Sequence, residues 1–232
     1  MRVISGKYRG KRLINPPDNR VRPTSDRIKE TLFNILYSKG VYDNIRVLDL
    51  FAGTGALGIE ALSRGAALCV FTDIDTKSCA LVRENLKMAN GADGDKDKKK
   101  SSAPHPSPLI SNSTVHHSPS TIHHSPITEV YHAEYKTAVP KLAGRQFDLI
   151  LIDPPYNQKN IGEIAALILE YGILSGGGVI AVEHARANDL AGLPDGLIRD
   201  TRICGNTALT FLHRCGEISY DTKSKNDVCG QL

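Results

Sequence analysis

The stretch "FDLILIDPPYNQK" is an apolar run that stops on Asp153, Pro154, Pro155 and Tyr156. Two consecutive prolines restrict the backbone and remove two N–H donors. Carbonyl oxygens and a carboxylate remain, beside an aromatic ring. Such a corner suits a planar exocyclic amine of the kind carried by a nucleic-acid base. The lone pair of that amine is delocalised into the ring, which makes it a poor nucleophile. The Asp153 carboxylate and the Pro154 carbonyl can hold its two N–H groups, favour pyramidalisation and aim the lone pair at an incoming carbon. The gain is orientation, plus stabilisation of the positive charge that develops on nitrogen. No strong base is required, because the alkylated ammonium is itself acidic. Tyr156 can stack on the base, a contact worth ~1–3 kcal/mol. Taken alone, the tetrapeptide also reads as a structural Asp-Pro turn.

A second stretch, "LDLFAGTGALGIEA" (48–61), supplies the partner for such an amine. Gly53, Gly55 and Gly58 fit G-x-G-x-x-G, and Asp73 follows Gly53 by twenty residues, as in dinucleotide-binding turns. By itself that pattern points to a dehydrogenase, which needs a substrate domain and a catalytic His or Lys beside a nicotinamide. His184 is the one candidate at a strand end, and it reads as a polar surface residue. The acceptor corner about a hundred residues downstream gives the turn a different occupant, S-adenosylmethionine, which carries no pyrophosphate. Glycines let the backbone approach such a cofactor closely. Asp49 lies near its methionine ammonium, and Asp73 can accept both ribose hydroxyls. Asp75 reads as the cap of the next helix.

The elements that position these residues alternate. "RVLDLF" (46–51), "LCVFTD" (68–73), a run near 129–132, "FDLILID" (147–153) and "GVIAVE" (178–183) read as strands. Helices are predicted from the glycine turn to Arg64, from Asp75 to about Gly91, and over 161–171. A further helix over 26–38 has Thr24 or Ser25 as its N-cap and Ile28, Leu32, Ile35 and Leu36 on one face. "IRDTRIC" and "TALTFLH" read as a closing antiparallel pair. The fold class is therefore α/β, with a mostly parallel sheet covered by helices and ligands beyond the strands' carboxyl ends. Residues 2–14 alternate as a short hairpin, ahead of a Pro- and Asn-rich loop.

Charge is unevenly spread. Residues 1–29 hold nine Lys or Arg against Asp18 and Asp26, while the whole chain carries a formal net charge of +4. A basic end on a nearly balanced body suggests a polyanion-binding arm, with Lys7, Arg9, Lys11 and Arg12 gripping phosphates. The Lys-, Ser-, Pro- and His-rich segment 93–128 predicts a disordered insertion, and 216–232 a flexible tail. The paired histidines 116/117 and 123/124 lack a supporting Cys or carboxylate cluster, so no metal site is expected. Five cysteines without a C-x-x-C pair suit a reducing cytoplasm, with Cys69 and Cys79 as buried thiols. There is no run of eighteen apolar residues and no secretory signal, so no membrane partner is expected. The expected organisation is a basic hairpin extension (1–25) on one catalytic domain (26–215).

The combination of "SGKYRGKRL", "RPTSDRIKETLFNIL", "DLFAGTGALGIEALSRGA" and "LIDPPY" resembles the RsmD-type 16S rRNA (guanine-N2)-methyltransferase family, over about residues 2–90 and 129–213. The resemblance implies a Rossmann-like class I S-adenosylmethionine-dependent methyltransferase, with a seven-stranded sheet and an N-terminal β-hairpin extension. It implies methyl transfer to N2 of one guanine in small-subunit (16S) rRNA, with the ribosomal subunit as partner and the protein a monomer. By position it makes Asp153 to Tyr156 the catalytic motif and lines the cofactor with Asp49, Phe51, Gly53, Gly55 and Asp73. Arg22, Thr24, Arg27 and Glu30 match an R-P-T-x-x-R-x-x-E stretch that closes over the cofactor side and orients the substrate. Glu134, after the third strand, would contact the adenine. The long insertion departs from the family, in which that loop is short. A DNA adenine-N6 methyltransferase shares the amine chemistry, but only about 30 residues precede the first helix, too few for a target-recognition domain. A non-enzymatic RNA-binding protein would keep the basic arm and have no use for the acceptor corner.

Overall fold

The computed structural model describes residues 1–15, 25–90, 125–155, 160–188 and 190–215. Tyr156, Arg22, Thr24, the tail after Cys215 and nearly all of the 93–128 insertion lie outside the described residues. The described chain runs α1 (Asp26–Ser38), β1 (Arg46–Asp49), α2 (Ala56–Ser63), β2 (Leu68–Asp73), α3 (Thr76–Asn90), β3 (Ile127–His132), α4 (Tyr135–Lys141), β4 (Phe147–Ile152), α5 (Ile161–Glu170), β5 (Leu174–Ala185), β6 (Leu197–Cys204) and β7 (Thr207–Arg214). The strands form one seven-stranded sheet in the order β3-β2-β1-β4-β5-β7-β6. The first five strands of that order are parallel, and β7 runs antiparallel between β5 and β6. This is the Rossmann-like class I methyltransferase sheet, with its order reversing between β1 and β4.

Side chains of each central strand alternate between two apolar layers, as the period of two requires. Val47, Phe71, Leu149, Leu151, Val179 and Ala181 join Leu32, Leu36, Ile59, Leu62 and Val82 on the face covered by α1, α2 and α3. Leu48, Val70, Ile150, Ile152, Ile180 and Val182 join Val139, Ile164 and Ile168 on the α4–α5 face. Burial of both faces explains why these strands read as nearly continuous apolar runs.

Several boundaries differ from those read in the sequence. β1 ends at Asp49, because Leu50 to Gly55 already form the turn. β3 begins at Ile127, two residues earlier than expected, pairing Ile127 with Leu68. Helix α4 is seven residues long with Pro140 in its last turn, and nothing in its short pattern announced it. β5 extends back through Gly176–Gly178 to Leu174, with a register shift against β4 between Phe147 and Leu149. His184 is not a surface residue. It is buried on β5, with Nε2 2.9 Å from the Thr210 hydroxyl, because β7 covers that strand's edge.

The N-terminal extension is a tight hairpin with one ladder bridge, Arg2 to Arg12, turned through Gly6 and Gly10 at positive φ. It is locked onto α2. Glu60 accepts the Ile4 amide at 2.7 Å and the Ser5 amide at 3.0 Å. The Glu60 carboxylate also lies 3.8 Å from the Lys29 ammonium and 2.8 Å from Arg64. Both Glu60 and Lys29 are fully buried, and Lys29 donates to the Arg2 carbonyl. A Cβ on Gly6 would fall 1.7 Å from the Ser63 carbonyl oxygen, so only glycine allows this approach.

Candidate active site

A cavity of about 520 Å³ opens at the carboxyl ends of the parallel strands, where open α/β sheets place their ligands. Six acids line it, and four of them stand at or near the carboxyl ends of parallel strands: Asp73 (β2), Asp49 (β1), Asp153 (just after β4) and Glu183 (two residues before the end of β5). The alternation that buries Phe71, Val47, Leu151 and Ala181 on the α1–α3 face puts all four acids on that same face. They therefore stand in a row across four neighbouring strands.

The glycine turn fixes two of the acids. Gly53 and Gly55 adopt positive φ, with Gly55 as the N-cap of α2. The Gly53 amide donates to Asp73 Oδ2 at 2.8 Å, and the Asp75 amide donates to Asp73 Oδ1 at 2.8 Å. Each oxygen of Asp73 keeps a lone pair for a ligand. The Gly58 amide, in the first turn of α2, donates to Asp49 Oδ2 at 2.9 Å. A Cβ on Gly58 would meet the Phe71 ring at 2.3 Å and Cys69 Sγ at 2.8 Å, so this glycine permits close helix–sheet packing. Asp75 is the cap expected of it: its carbonyl accepts from Cys79 and its side chain from Lys77.

Asp49 is fully buried, and desolvation pushes its carboxyl up to about 7. The neighbouring charges of Asp153 and Asp73 push the same way, and the Gly58 amide opposes them. The cavity thus concentrates negative potential around one poised acid, which favours a cationic ligand.

Of the residues named from the sequence, Asp49, Phe51, Gly53, Asp73, Glu134, Asp153, Pro154 and Pro155 come together around the cavity. Phe51 packs on Tyr135 with ring centroids 5.9 Å apart. Glu134 is the N-cap of α4 but makes no side-chain capping bond, and its side chain is exposed at the rim. Gly55 shapes the turn without lining the cavity, and a Cβ there would come within 3.3 Å of Ile59 and Val82. Arg27 and Glu30 are exposed on α1, whose Ser25 and Ile28 are the residues that reach the cavity. In the arm, Lys7, Arg9 and Arg12 are exposed, whereas Lys11 donates to the carbonyl of Ala89 near the end of α3.

Sequence reasoning missed Met1, Tyr135, Glu183 and Thr207 among the lining residues. For Glu183 the signal was present. "RVLD", "LCVFTD", "FDLILID" and "GVIAVE" each end on an acid, but only the first three adjoin a recognisable motif.

The model of a family described as "Conserved hypothetical protein 95" matches residues 1–106 and 110–213. The Bacillus subtilis protein YlbH is 36% identical over 193 residues, covering 82% of this chain and 85% of that protein. "Ribosomal RNA small subunit methyltransferase D" of Escherichia coli K12 is 28% identical over 217 residues, covering 92% of this chain and 90% of that protein. The solved structure of yhhF from Escherichia coli superposes with a TM-score of 0.68 at 26% identity, covering 92% of this chain and 97% of that one.

Proposed function

As the chain belongs to the conserved hypothetical protein 95 family, the RsmD family, we propose that it transfers a methyl group from S-adenosylmethionine to N2 of one guanine in small-subunit (16S) ribosomal RNA. The observation that carries the reading is the shared cavity of Asp49, Asp73 and the Asp153-Pro154 corner. The residues present fit the cofactor. The volume is of the size that holds a nucleoside-like ligand, and the walls are acidic where that ligand is cationic. S-adenosylmethionine supplies an electrophilic methyl group on a sulfonium. Asp73, already oriented by two amides, accepts the ribose hydroxyls. Asp49, in its ionised form, pairs with the ammonium. Phe51 and Glu134 border the adenine, and the backbone of Gly53 and the turn preceding Gly55 allow close approach.

On the substrate side, Asp153 and the Pro154 carbonyl take the two N–H groups of the guanine 2-amino group and turn its lone pair toward the methyl carbon. Tyr156, next in the chain, stacks on the extruded base. Arg27 and Glu30, with Arg22 and Thr24, orient the RNA over the α1 end of the cavity. Lys7, Arg9 and Arg12 offer charge to phosphates. Lys11, engaged with Ala89, shapes the hairpin instead.

The test is methyl transfer from labelled cofactor to small subunits that lack the mark, with naked rRNA and DNA as alternative acceptors. Wild type labels the subunit at a guanine N2, and Asp153→Ala loses about 10²–10³ in rate with cofactor affinity retained. Equal rates for the two proteins would remove the mechanism, and preferential labelling of DNA adenine would replace the substrate.

A further inference from the structure

The proposed transfer accounts for three of the four acids in the row and leaves Glu183 without a task. Glu183 is 7% exposed, yet it lines the cavity with Asp153 and Pro154. The β4–β5 register pairs Ile152 with Val182. Continued by one residue, that register sets Glu183 next to Asp153, neighbouring strands being ~5 Å apart, and the two residues share the cavity wall. Both side chains leave the sheet on the α1–α3 face, as the burial of Leu151 and Ala181 requires. Glu183 lies on the β5 side of Asp153, and the cofactor acids Asp49 and Asp73 lie on the β1–β2 side. An acceptor in that place faces the base rather than the cofactor.

The edge of guanine that carries N2 presents two adjacent donor positions, the 2-amino group and N1–H. If Asp153 and the Pro154 carbonyl hold the amino group, the next donor along the edge is N1–H. A buried carboxylate beside Asp153 matches it. Building on the guanine-N2 reading, we propose that Glu183 is a base-specificity residue whose carboxylate accepts N1–H of the guanine presented to Asp153. No proton changes hands: N1 keeps its hydrogen and donates it in a hydrogen bond to the carboxylate. A purine whose N1 is a bare acceptor would set two acceptors against each other in a buried site. Sites built around such a polar contact reject the mismatched analogue strongly.

2-Aminopurine isolates this contact, because it carries the 2-amino group but has no hydrogen on N1. Small-subunit RNA with guanine or 2-aminopurine at the mapped target position is assayed with wild type and with Glu183→Gln. Wild type should favour guanine by at least about 100-fold in kcat/KM. The Gln amide can donate to a bare N1, so in Glu183→Gln the ratio should fall to about tenfold or less, with S-adenosylhomocysteine affinity within about twofold of wild type. A merely structural role lowers both rates and leaves the ratio unchanged. An unchanged ratio in Glu183→Gln, or a wild-type enzyme that accepts both bases equally, overturns the assignment while guanine methylation stands. Should Glu183→Gln fail to fold, the wild-type ratio alone still decides against it when it is near one. Absence of any methyl group on guanine N2 with wild type would instead remove the reading on which the inference rests.

Discussion

Replacing Asp49 by Asn separates two consequences of burying that carboxyl. Desolvation raises it to about 7, helped by Asp153 and Asp73, from an ordinary value of 3.8. At pH 6 roughly ten molecules in eleven therefore hold a neutral acid, and at pH 8 roughly one in eleven. A ligand ammonium pairs only with the ionised form. Cofactor affinity should then weaken about tenfold between pH 8 and pH 6, about 1.4 kcal/mol, with uptake of nearly one ligand cation matched by release of nearly one proton at pH 6. Calorimetry with S-adenosylhomocysteine, which carries the same ammonium, reads both quantities when run in buffers of different ionisation enthalpy. Asp49→Asn should bind more weakly at pH 8 and show a flat profile. The stability of the ligand-free protein moves the opposite way. The folded state holds this proton more tightly than the unfolded chain, so stability falls as pH rises from about 4 to about 7. Asp49→Asn keeps an acceptor for the Gly58 amide and removes that penalty. It should be the more stable protein at pH 8, by up to about 4 kcal/mol, with less than half of that gain left at pH 5. A wild-type affinity that is level from pH 6 to pH 8, or an Asn variant that retains the slope, refutes the assignment of Asp49 to the ammonium.

Two further outcomes follow from the arm. Glu60→Ala leaves the fully buried Lys29 without its counter-charge and the Ile4 and Ser5 amides without their acceptor. It should lower stability by about 3–5 kcal/mol in urea denaturation, and a loss below about 1 kcal/mol would show that the hairpin is not locked through this residue. Lys7, Arg9 and Arg12 together replaced by Ala should flatten the log–log salt dependence of rRNA binding by about two, at ~0.7 per phosphate contact. Adding Lys11→Ala should change that slope little, because its ammonium is held by Ala89.

Where local signals sufficed, the elements were legible. α1 announces itself through the Ser25 cap and the spacing of Ile28, Leu32, Ile35 and Leu36, and Ser25 does accept from the Ile28 amide. β2 and the Asp75 cap were equally plain. Features that depend on distant partners were not. His184 looks polar and exposed until β7 is laid along β5. Lys29 and Lys11 read as surface charges, yet one is buried against Glu60 and the other is tied to Ala89, contacts spanning 31 and 78 residues of sequence. Asp49, Asp73 and Asp153 are legible because they end or directly follow their strands, where local pattern and topology coincide. Glu183 is less legible, because no motif follows it and its strand runs two residues further, to Ala185.

The same two helices, α2 and α3, hold both the arm and the glycine turn with its acids. Helix α2 presents Gly58 to Asp49 at one turn and Glu60 to the hairpin immediately after it. Buried Asn85 of α3 bonds the backbone of Ile14, at the arm's end, and the Thr54 carbonyl inside the glycine turn. Met1 itself reaches the cavity wall. The basic arm and the acidic cavity are therefore tied to one another through a continuous set of hydrogen bonds. For an enzyme proposed to reach one base in a large folded RNA, this has a physical use. Phosphate contacts on the arm would position the RNA, and the bonded link to the cavity would convert that position into the placement of one amine at Asp153. Loosening the lock at Glu60 should then cost more in the rate on assembled subunits than in affinity for the cofactor. A Glu60→Gln enzyme that remains folded, with unchanged cofactor affinity and unchanged turnover on subunits, would show that the arm and the site work independently.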